Sequence, residues 1–329
     1  MKKYHVYGIG NALVDMEFKV EDAFFTSNGI DKGLMTLVDE KRQYELMGHL
    51  NAFEAEKSSG GSAANTIIAV SYFGGKSFYS CKVSNDELGD FYMNDLHLAG
   101  VDSNLGDERK SGVTGKCLVM VTPDAERTMN TFLGITETFS VDELNLAALS
   151  DSEYLYIEGY LVTSDTGRNA AIEARKAAET NGIKTALTFS DPAMVQFFKA
   201  GLMQMIGDKV DLLFCNEAEA MSWSDTDNIA SAVESLKQVA STFAITLGAK
   251  GALLFDGKNQ IDIAPHETKA IDSNGAGDMF AGAFLYGITH GASFLEAGNI
   301  ASLAAARVVS QFGPRLNEAA HKEILSSLA

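Results

Sequence analysis

The feature that most constrains the fold of this chain is a regular alternation of short apolar runs with helix-length segments. Four apolar runs after residue 150 predict strands, at 154–157, 184–189, 211–214 and 243–247. Segments rich in Ala, Glu and Lys lie between them, and each is long enough for a helix. Such alternation predicts a parallel sheet covered by helices on both faces. Helices with few interruptions are predicted after residue 275.

The first 135 residues show this alternation of strands and helices only in part. Two patches, near 12–57 and 111–135, contain short and partly alternating apolar runs broken by glycine turns, which is typical of exposed strands. We interpret both patches as strands without helices that form a small sheet outside the main domain. The predicted division is a large α/β catalytic domain at 1–11, 58–110 and 136–329, with a small β lid at 12–57 and 111–135.

Composition excludes several classes of protein. The 329 residues are 46% hydrophobic and 21% charged, as in an ordinary globular domain, and their formal net charge is −18. A field of that sign repels nucleic acids and anionic membranes, so neither is expected as a partner. No uncharged apolar run reaches the ~18–20 residues of a membrane span.

The cysteines and histidines give no sign of a metal site. Cys81, Cys117 and Cys215 lie far apart with no Cys-x-x-Cys pair, and the six histidines do not cluster with cysteines or carboxylates. Free thiols in a reducing compartment are therefore expected. The start of the chain also lacks the apolar stretch of a signal peptide. We expect a cytoplasmic protein.

The strongest chemical signal is the segment at 272–284, Asp-Ser-Asn-Gly-Ala-Gly-Asp-Met-Phe-Ala-Gly-Ala-Phe. Its glycines allow a tight turn whose amides point at one spot, where a helix begins and an anion is favoured. Asp278 would be repelled by a phosphate bound there unless it acts on the substrate, and a general base toward an attacking hydroxyl is such a role. An ordinary glycine-rich helix start with Asp in its first turn fits this segment equally well when it is taken alone.

Two further segments carry polar groups suited to sugar hydroxyls. The segment at 59–65 places two glycines before a helix with Asn65 one turn in, where its amide can both donate and accept. The segment at 8–15 ends a buried strand with Asn11 and Asp15, and the carboxylate is an acceptor suited to adjacent hydroxyls.

Two more segments follow predicted strands and suit a nucleotide. Asn216 and Glu219 open a helix where carboxylates can hold magnesium-bound waters. The segment at 246–251, Thr-Leu-Gly-Ala-Lys-Gly, ends another strand with a glycine-rich turn that can pack on a nucleotide.

These segments, in this order, resemble the ribokinase-like (PfkB) family of carbohydrate and nucleoside kinases, and the resemblance covers nearly the whole chain. Within that family the chain is most similar to adenosine kinases, on the segments at 8–15, 158–163, 211–219 and 274–278. The resemblance implies a three-layer α/β sandwich with a central, mostly parallel sheet and a small β lid. It also implies direct phosphoryl transfer from ATP with Mg²⁺, and it leaves a monovalent-cation requirement open.

The resemblance also implies a set of functional residues. The catalytic set is the base Asp278 with the anion-hole residues Gly275, Ala276 and Gly277. The acceptor set is Asn11, Asp15, Gly61, Ser62 and Asn65 around the ribose, with Arg127, Leu133 and Tyr160 reaching it from the lid and the base pocket. The nucleotide set is Asn216, Glu219, Thr246, Gly248, Gly251 and Asn274, with Glu219 holding Mg²⁺ through water.

Three residues depart from the adenosine kinase pattern. Ala12 replaces a usual proline, Tyr160 stands where a phenylalanine usually covers adenine, and Ala193 takes the place of another aromatic residue. The expected acceptor is the 5′-hydroxyl of a ribonucleoside, adenosine first. A sugar kinase acting on ribose or fructose and another purine nucleoside kinase remain alternatives. The lid suits either a monomer or a homodimer.

Other classes fit the sequence less well. A dinucleotide-binding fingerprint would begin at Gly8 and Gly10, but Leu13 occupies the position of its third glycine. A P-loop would end at 75–77, but Val70 stands where its first glycine is required. A non-catalytic sensor on a kinase scaffold would be expected to lose Asp278 or the glycines beside it, and all of them are present.

Overall fold

The structure, a computed structural model, describes residues 2–106, 108–124 and 126–328. The predicted domain ranges also include Met1, Asp107, Ala125 and Ala329, which lie outside the described residues. The strands are β1 (Tyr4–Ile9), β2 (Leu13–Lys19), β3 (Met35–Leu37), β4 (Glu56–Gly60), β5 (Ser77–Ser80), β6 (Val101–Ser103), β7 (Gly115–Val121), β8 (Arg127–Phe132), β9 (Ser152–Glu158), β10 (Lys184–Thr188), β11 (Val210–Asn216), β12 (Ala240–Thr246), β13 (Ala252–Phe255) and β14 (Gln260–Ile263).

Helices connect and cover these strands. They are α1 (Asp22–Asn28), α2 (Glu40–Leu50), α3 (Ser62–Tyr72), α4 (Glu87–Leu98), α5 (Leu146–Ser150), α6 (Asp165–Thr180), α7 (Pro192–Ile206), α8 (Glu217–Ser224), α9 (Ile229–Leu236), α10 (Ala276–Thr289), α11 (Phe294–Val308) and α12 (Glu318–Leu328). In the described part of the chain, no helix is both long and apolar enough to cross a bilayer.

A nine-stranded sheet forms the centre of the molecule, in the order β14-β13-β12-β11-β10-β9-β1-β5-β6. Its strands are parallel from β12 to β6, and β13 and β14 add an antiparallel edge. Side chains alternate between its two faces: Tyr156 packs toward α3 and α10, whereas Leu155 packs toward α6. Both faces are covered by helices, which explains why strands such as β9 are apolar almost throughout. The predicted α/β sandwich with a mostly parallel sheet is confirmed.

A second sheet of five strands, β3-β8-β7-β2-β4, lies over the carboxyl ends of the parallel strands. One face, which includes Leu13 and Val119, lines a cleft between the two sheets. The opposite face, which includes Met16 and Leu118, packs against Phe25 of α1 and other buried residues of the core. The central strands β2 and β7 therefore have one layer of side chains facing the cleft and one facing the core.

The prediction that residues 12–57 lack helices was wrong. Helix α1 is seven residues long and is capped by Gly29, so this glycine, which was interpreted as a turn between exposed strands, closes a helix instead. Helix α2 begins at Asp39, whose side chain accepts from the Arg42 amide, and it buries Gln43, Leu46 and Leu50 along one stripe. These two helices cover the outer side of the small sheet. The hairpin of β13 and β14 was also absent from the prediction.

Candidate active site

The candidate site is the cleft between the two sheets, with a volume of ≈ 900 Å³. Its floor is formed by the carboxyl ends of the parallel strands, where open α/β sheets generally bind ligands. The structure brings nearly all sequence-predicted residues to its walls: Asn11, Asp15, Gly61, Ser62, Asn65, Arg127, Leu133, Tyr160, Asn216, Glu219, Thr246, Gly248, Asn274, Gly275, Ala276, Gly277 and Asp278. Gly251 is not among them and lies in the turn beyond the cleft, where its carbonyl accepts from the Leu247 amide at 2.8 Å.

Asp278 lies in the first turn of α10 and is held by two side chains of α3. Ser62 Oγ donates to Oδ1 at 2.6 Å, and Asn65 Nδ2 donates to Oδ2 at 3.0 Å. Burial raises the pKa of the Asp278 carboxyl to about 6, against the lowering effect of these hydrogen bonds. A carboxylate with a pKa near neutrality and a fixed orientation has the properties of a general base.

Asn65 has one polar atom without a partner. The residue is 5% exposed, and its Oδ1 makes no hydrogen bond with any described residue. A buried acceptor left unpaired costs on the order of 1–3 kcal/mol, so such an atom in a cleft wall indicates a hydroxyl or amine donor on a ligand. The arrangement can therefore present a donor-bearing ligand beside Asp278.

The turn before α10 is shaped to receive an anion. Gly275 has φ = 71°, and a Cβ there would lie 2.2 Å from the Pro314 carbonyl oxygen, so only glycine fits. The amides of a first helical turn have no partner within the helix. A Cβ on Gly277 would meet no atom within 4 Å, so the backbone faces open space there. A phosphoryl group has room to approach these amides.

Asn11 is held in place by Glu158. This residue belongs to the segment at 158–163 but was not predicted from the sequence as a site residue. Glu158 ends β9 and is 1% exposed, and it also lines the cleft. Its Oε1 accepts from the Asn11 amide at 3.2 Å and from Asn11 Nδ2 at 3.1 Å, while Oε2 accepts from the Ala63 amide at 2.8 Å. Burial raises the pKa of Glu158 to about 7, although these donors oppose the rise. Its position as a charged residue at the end of a predicted buried strand could have identified it as a site residue.

Asp15 points into the cleft from β2. It is buried, and burial raises the pKa of its carboxyl to about 7, with a further rise from the charge of Glu17. The positive charges of Arg127 and Arg315 act in the opposite direction. Among the described residues no side chain or amide donates to this buried carboxylate, which suits the paired hydroxyls of a ligand.

Arg127 joins the small sheet to the loop before the anion hole. Its Nη2 lies 3.0 Å from Glu17 Oε1, and its Nε lies 3.1 Å from Asp272 Oδ1 in an ion pair without hydrogen-bond geometry. Asp272 is 1% exposed and also accepts from the Asn274 amide at 2.9 Å. Arg127 thus lines the cleft while its charge is balanced by two buried carboxylates.

On the other side of the cleft, Asn216 and Glu219 cap α8 reciprocally. Asn216 Oδ1 accepts from the Glu219 amide at 2.8 Å, and the Asn216 amide donates to Glu219 Oε2 at 2.9 Å. Burial raises the pKa of Glu219 to about 7. Within the described ranges no group of three or more His, Cys, Asp or Glu side chains is arranged around a metal position. A divalent cation here would take most of its ligands from phosphate oxygens and water, as Mg²⁺ commonly does.

Ser190 and Asp191 also reach the cleft, and sequence reasoning did not place them in the site. Ser190 has φ = 71°, a left-handed conformation that is costly for a residue with a Cβ. Its Oγ accepts from the Gly159 amide at 2.9 Å, which holds the turn in place. Asp191 then caps α7 through the Ala193 amide. Strained turns of this kind concentrate at ligand sites, and no local sequence pattern marks them.

Comparison with known proteins gives consistent results for sequence and structure. A sequence model of the pfkB family of carbohydrate kinases matches residues 30–320. Adenosine kinase 2 of Arabidopsis thaliana is 28% identical over 302 residues, which cover 84% of this chain and 86% of that protein. The structure of adenosine kinase from Sinorhizobium meliloti has a TM-score of 0.92 and 32% identity, with 99% of each chain covered. A probable sugar kinase from Rhizobium etli has a TM-score of 0.92 and 31% identity, with 100% of each chain covered.

Proposed function

This chain belongs to the pfkB family of carbohydrate kinases and is an ATP-dependent kinase, and we propose that it phosphorylates the 5′-hydroxyl of a purine ribonucleoside, with adenosine preferred. The observation that carries the proposal is the Asp278 carboxylate, held by Ser62 and Asn65 beside the anion-binding turn of α10. The orphaned Asn65 Oδ1 next to it supports a hydroxyl-bearing acceptor.

The proposed reaction is a direct transfer. Asp278 takes the proton from the acceptor hydroxyl as its oxygen bonds to the γ-phosphorus, and the bond from that phosphorus to the β,γ-bridging oxygen breaks, leaving ADP. The amides of residues 275–277 receive the charge that develops on the transferred group. Mg²⁺, when bound with ATP, neutralises phosphate charge, and Glu219 would hold its waters. Asn216, Thr246, Gly248 and Asn274 would contact the nucleotide.

The cleft wall formed by the small sheet favours a nucleobase over a bare sugar. Its cleft face carries Leu13, Leu37, Met129 and Leu133, and Tyr160 lies on the floor. Phe132 is not in the cleft wall, because alternation along β8 places it on the opposite face. A flat base that covers these side chains gains ~25 cal/mol per Å² of apolar surface. The adenosine kinases among the relatives support the same choice.

The acceptor is tested by measuring ATP consumption with adenosine, inosine, guanosine, 2′-deoxyadenosine, ribose and fructose. We expect adenosine to have the highest kcat/KM. We expect 2′-deoxyadenosine to be poorer by about 10² or more, because Asp15 or Asn65 would then face no hydroxyl. If ribose or fructose exceeds every nucleoside, the substrate proposal fails and a sugar kinase of the same family replaces it, as the Rhizobium etli relative would suggest.

A further inference from the structure

Between α11 and α12, a short segment formed by Gly313, Pro314 and Arg315 lies behind the anion-binding turn without lining the cleft. The Gly313 amide donates to Asp272 Oδ2 at 2.9 Å. The Pro314 carbonyl oxygen packs directly against Gly275, where a Cβ would lie 2.2 Å from it. The position of this segment therefore sets the backbone from which the anion-binding turn is built.

Arg315 ties the same segment to the base of the small sheet. Its side chain is 13% exposed, its Nη2 lies 3.0 Å from Asp95 Oδ2 on α4, and its Nη1 donates to Ser59 Oγ at 3.2 Å. Ser59 is fully buried in β4, and its amide also donates to Asp95 at 3.0 Å. Burial alone would raise the pKa of Asp95, but the Arg315 charge and the Ser59 donors outweigh it and hold the pKa below its ordinary value.

Ser59 directly precedes Gly60 and Gly61, which connect the small sheet to α3. The guanidinium of Arg315 thus contacts the strand that enters this junction, while the carbonyl of the preceding residue contacts the first residue of the anion hole. One rigid turn links the base of the small sheet to the amides that receive the phosphoryl charge.

We propose that Arg315 is a positioning residue for phosphoryl transfer. Its guanidinium contacts both Asp95 and Ser59 and so fixes the position of the anion-binding turn relative to the small sheet. The proposal rests on the assignment of residues 275–277 as the anion hole. Displacing the anion-hole amides by about 1 Å lowers the rate on the order of 10²-fold, because the charge stabilisation that a donor provides depends on its distance and direction. Arg315 touches neither substrate, so its loss is expected to lower kcat and to leave both KM values nearly unchanged.

Arg315→Lys tests this directly. Lysine keeps a positive charge near Asp95 but lacks the planar fork that also reaches Ser59. We expect kcat to fall about 10-fold, with KM for ATP and for the acceptor within about 3-fold of the wild type. Arg109→Lys is the matched control, since Arg109 is also a buried arginine paired with an aspartate of α4, Asp90, and lies away from the cleft. It is expected to lower the melting temperature by a similar amount and to keep wild-type kcat.

Ser59→Ala is the second variant and removes the hydroxyl that accepts from Arg315 and donates to Asp95. We expect it to reduce kcat by the same route, so Arg315→Lys should have little further effect in the Ser59→Ala background. Unchanged kcat in both folded variants, or an equal loss in Arg109→Lys, would overturn the proposal. Every variant is compared with the wild type on the acceptor that the wild type phosphorylates best. If that acceptor is not adenosine, the substrate proposal fails, but the proposal for Arg315 is still tested.

Discussion

Asp278 combines burial with a fixed orientation, and this combination sets its protonation behaviour. Its pKa is raised to about 6 because the carboxylate is removed from water, while Ser62 and Asn65 stabilise the charged form and limit the rise. At neutral pH the group is therefore largely deprotonated and able to accept a proton. Its proton affinity nevertheless exceeds that of an exposed aspartate, which strengthens it as a base.

The pH dependence of kcat/KM for the acceptor should report this group, because kcat/KM follows the ionisation of the free enzyme. A base must be deprotonated to act, so kcat/KM should fall as pH drops through about 6, approaching at least a tenfold loss per pH unit. Asp15, whose pKa is raised to about 7, begins to take up a proton at higher pH in the same cleft, so the fall starts near pH 7. The measurement is initial rate at saturating ATP and low acceptor concentration from pH 5 to pH 8. A kcat/KM that stays constant down to pH 5 would contradict the role of Asp278 as the base.

The residues around Asp278 also explain why the acceptor side is so well ordered. Glu158 uses one oxygen for two donors of Asn11 and the other for the Ala63 amide, so it fixes both the end of β1 and the start of α3. Because α3 carries Ser62 and Asn65, the same carboxylate indirectly orients the partners of Asp278. Both Glu158 oxygens are paired, which holds this network in place, while Asn65 Oδ1 stays available to a ligand.

Helix α3 depends on the glycine before it. Gly61 has φ = 101°, and a Cβ there would lie 2.2 Å from the Asn11 carbonyl oxygen. This close approach brings the helix start against the end of β1 and so assembles the acceptor side of the cleft.

Gly61→Ala should therefore damage the site as well as the fold. We expect the acceptor KM to rise about 10-fold or more, since relief of the clash moves Asn11 or Ser62, with a stability loss of about 1–2 kcal/mol from the left-handed conformation. Gly291→Ala is the matched control, because Gly291 has φ = 86° and a Cβ there would meet no atom within 4 Å. It should show only the part of the stability loss that comes from the positive φ, and it should keep wild-type kinetics, as measured by thermal melts and steady-state assays. Equal kinetics for both variants would refute this account of α3.

The sequence predicted correctly the elements whose residues carry a recognisable local pattern. The parallel sheet follows from apolar runs such as β9, and the start of α10 follows from its glycines and Asp278. Helices α1 and α2 were missed because their short amphipathic stripes lie between turn residues that also suit hairpins. Ser190 and the contacts of Arg315 depend on residues far apart in sequence, so no local pattern encodes them.

At the scale of the whole molecule, the cleft is formed by one sheet that supplies the floor and a second that covers it. The net charge of −18 would repel ATP, so the site needs local attraction from the α10 amides and a bound cation, since the charge of Arg127 is balanced by Glu17 and Asp272. Arg127 and Arg315 connect the covering sheet to the backbone behind the anion hole from two sides. Closure of the covering sheet on bound substrates would exclude water from the transfer step.

The central claim is that Asp278 serves as the base for direct transfer from ATP, and a single-turnover assay of Asp278→Asn tests it most directly. The measurement is the rate of product formation with enzyme in excess over a limiting amount of ATP and with the acceptor saturating, alongside acceptor binding by calorimetry. We predict a rate about 10²–10⁴ lower than that of the wild type with acceptor affinity nearly unchanged, whereas Asp256→Asn, in an exposed turn, should match the wild type. A variant that binds the acceptor and retains a tenth or more of the wild-type transfer rate would contradict the account.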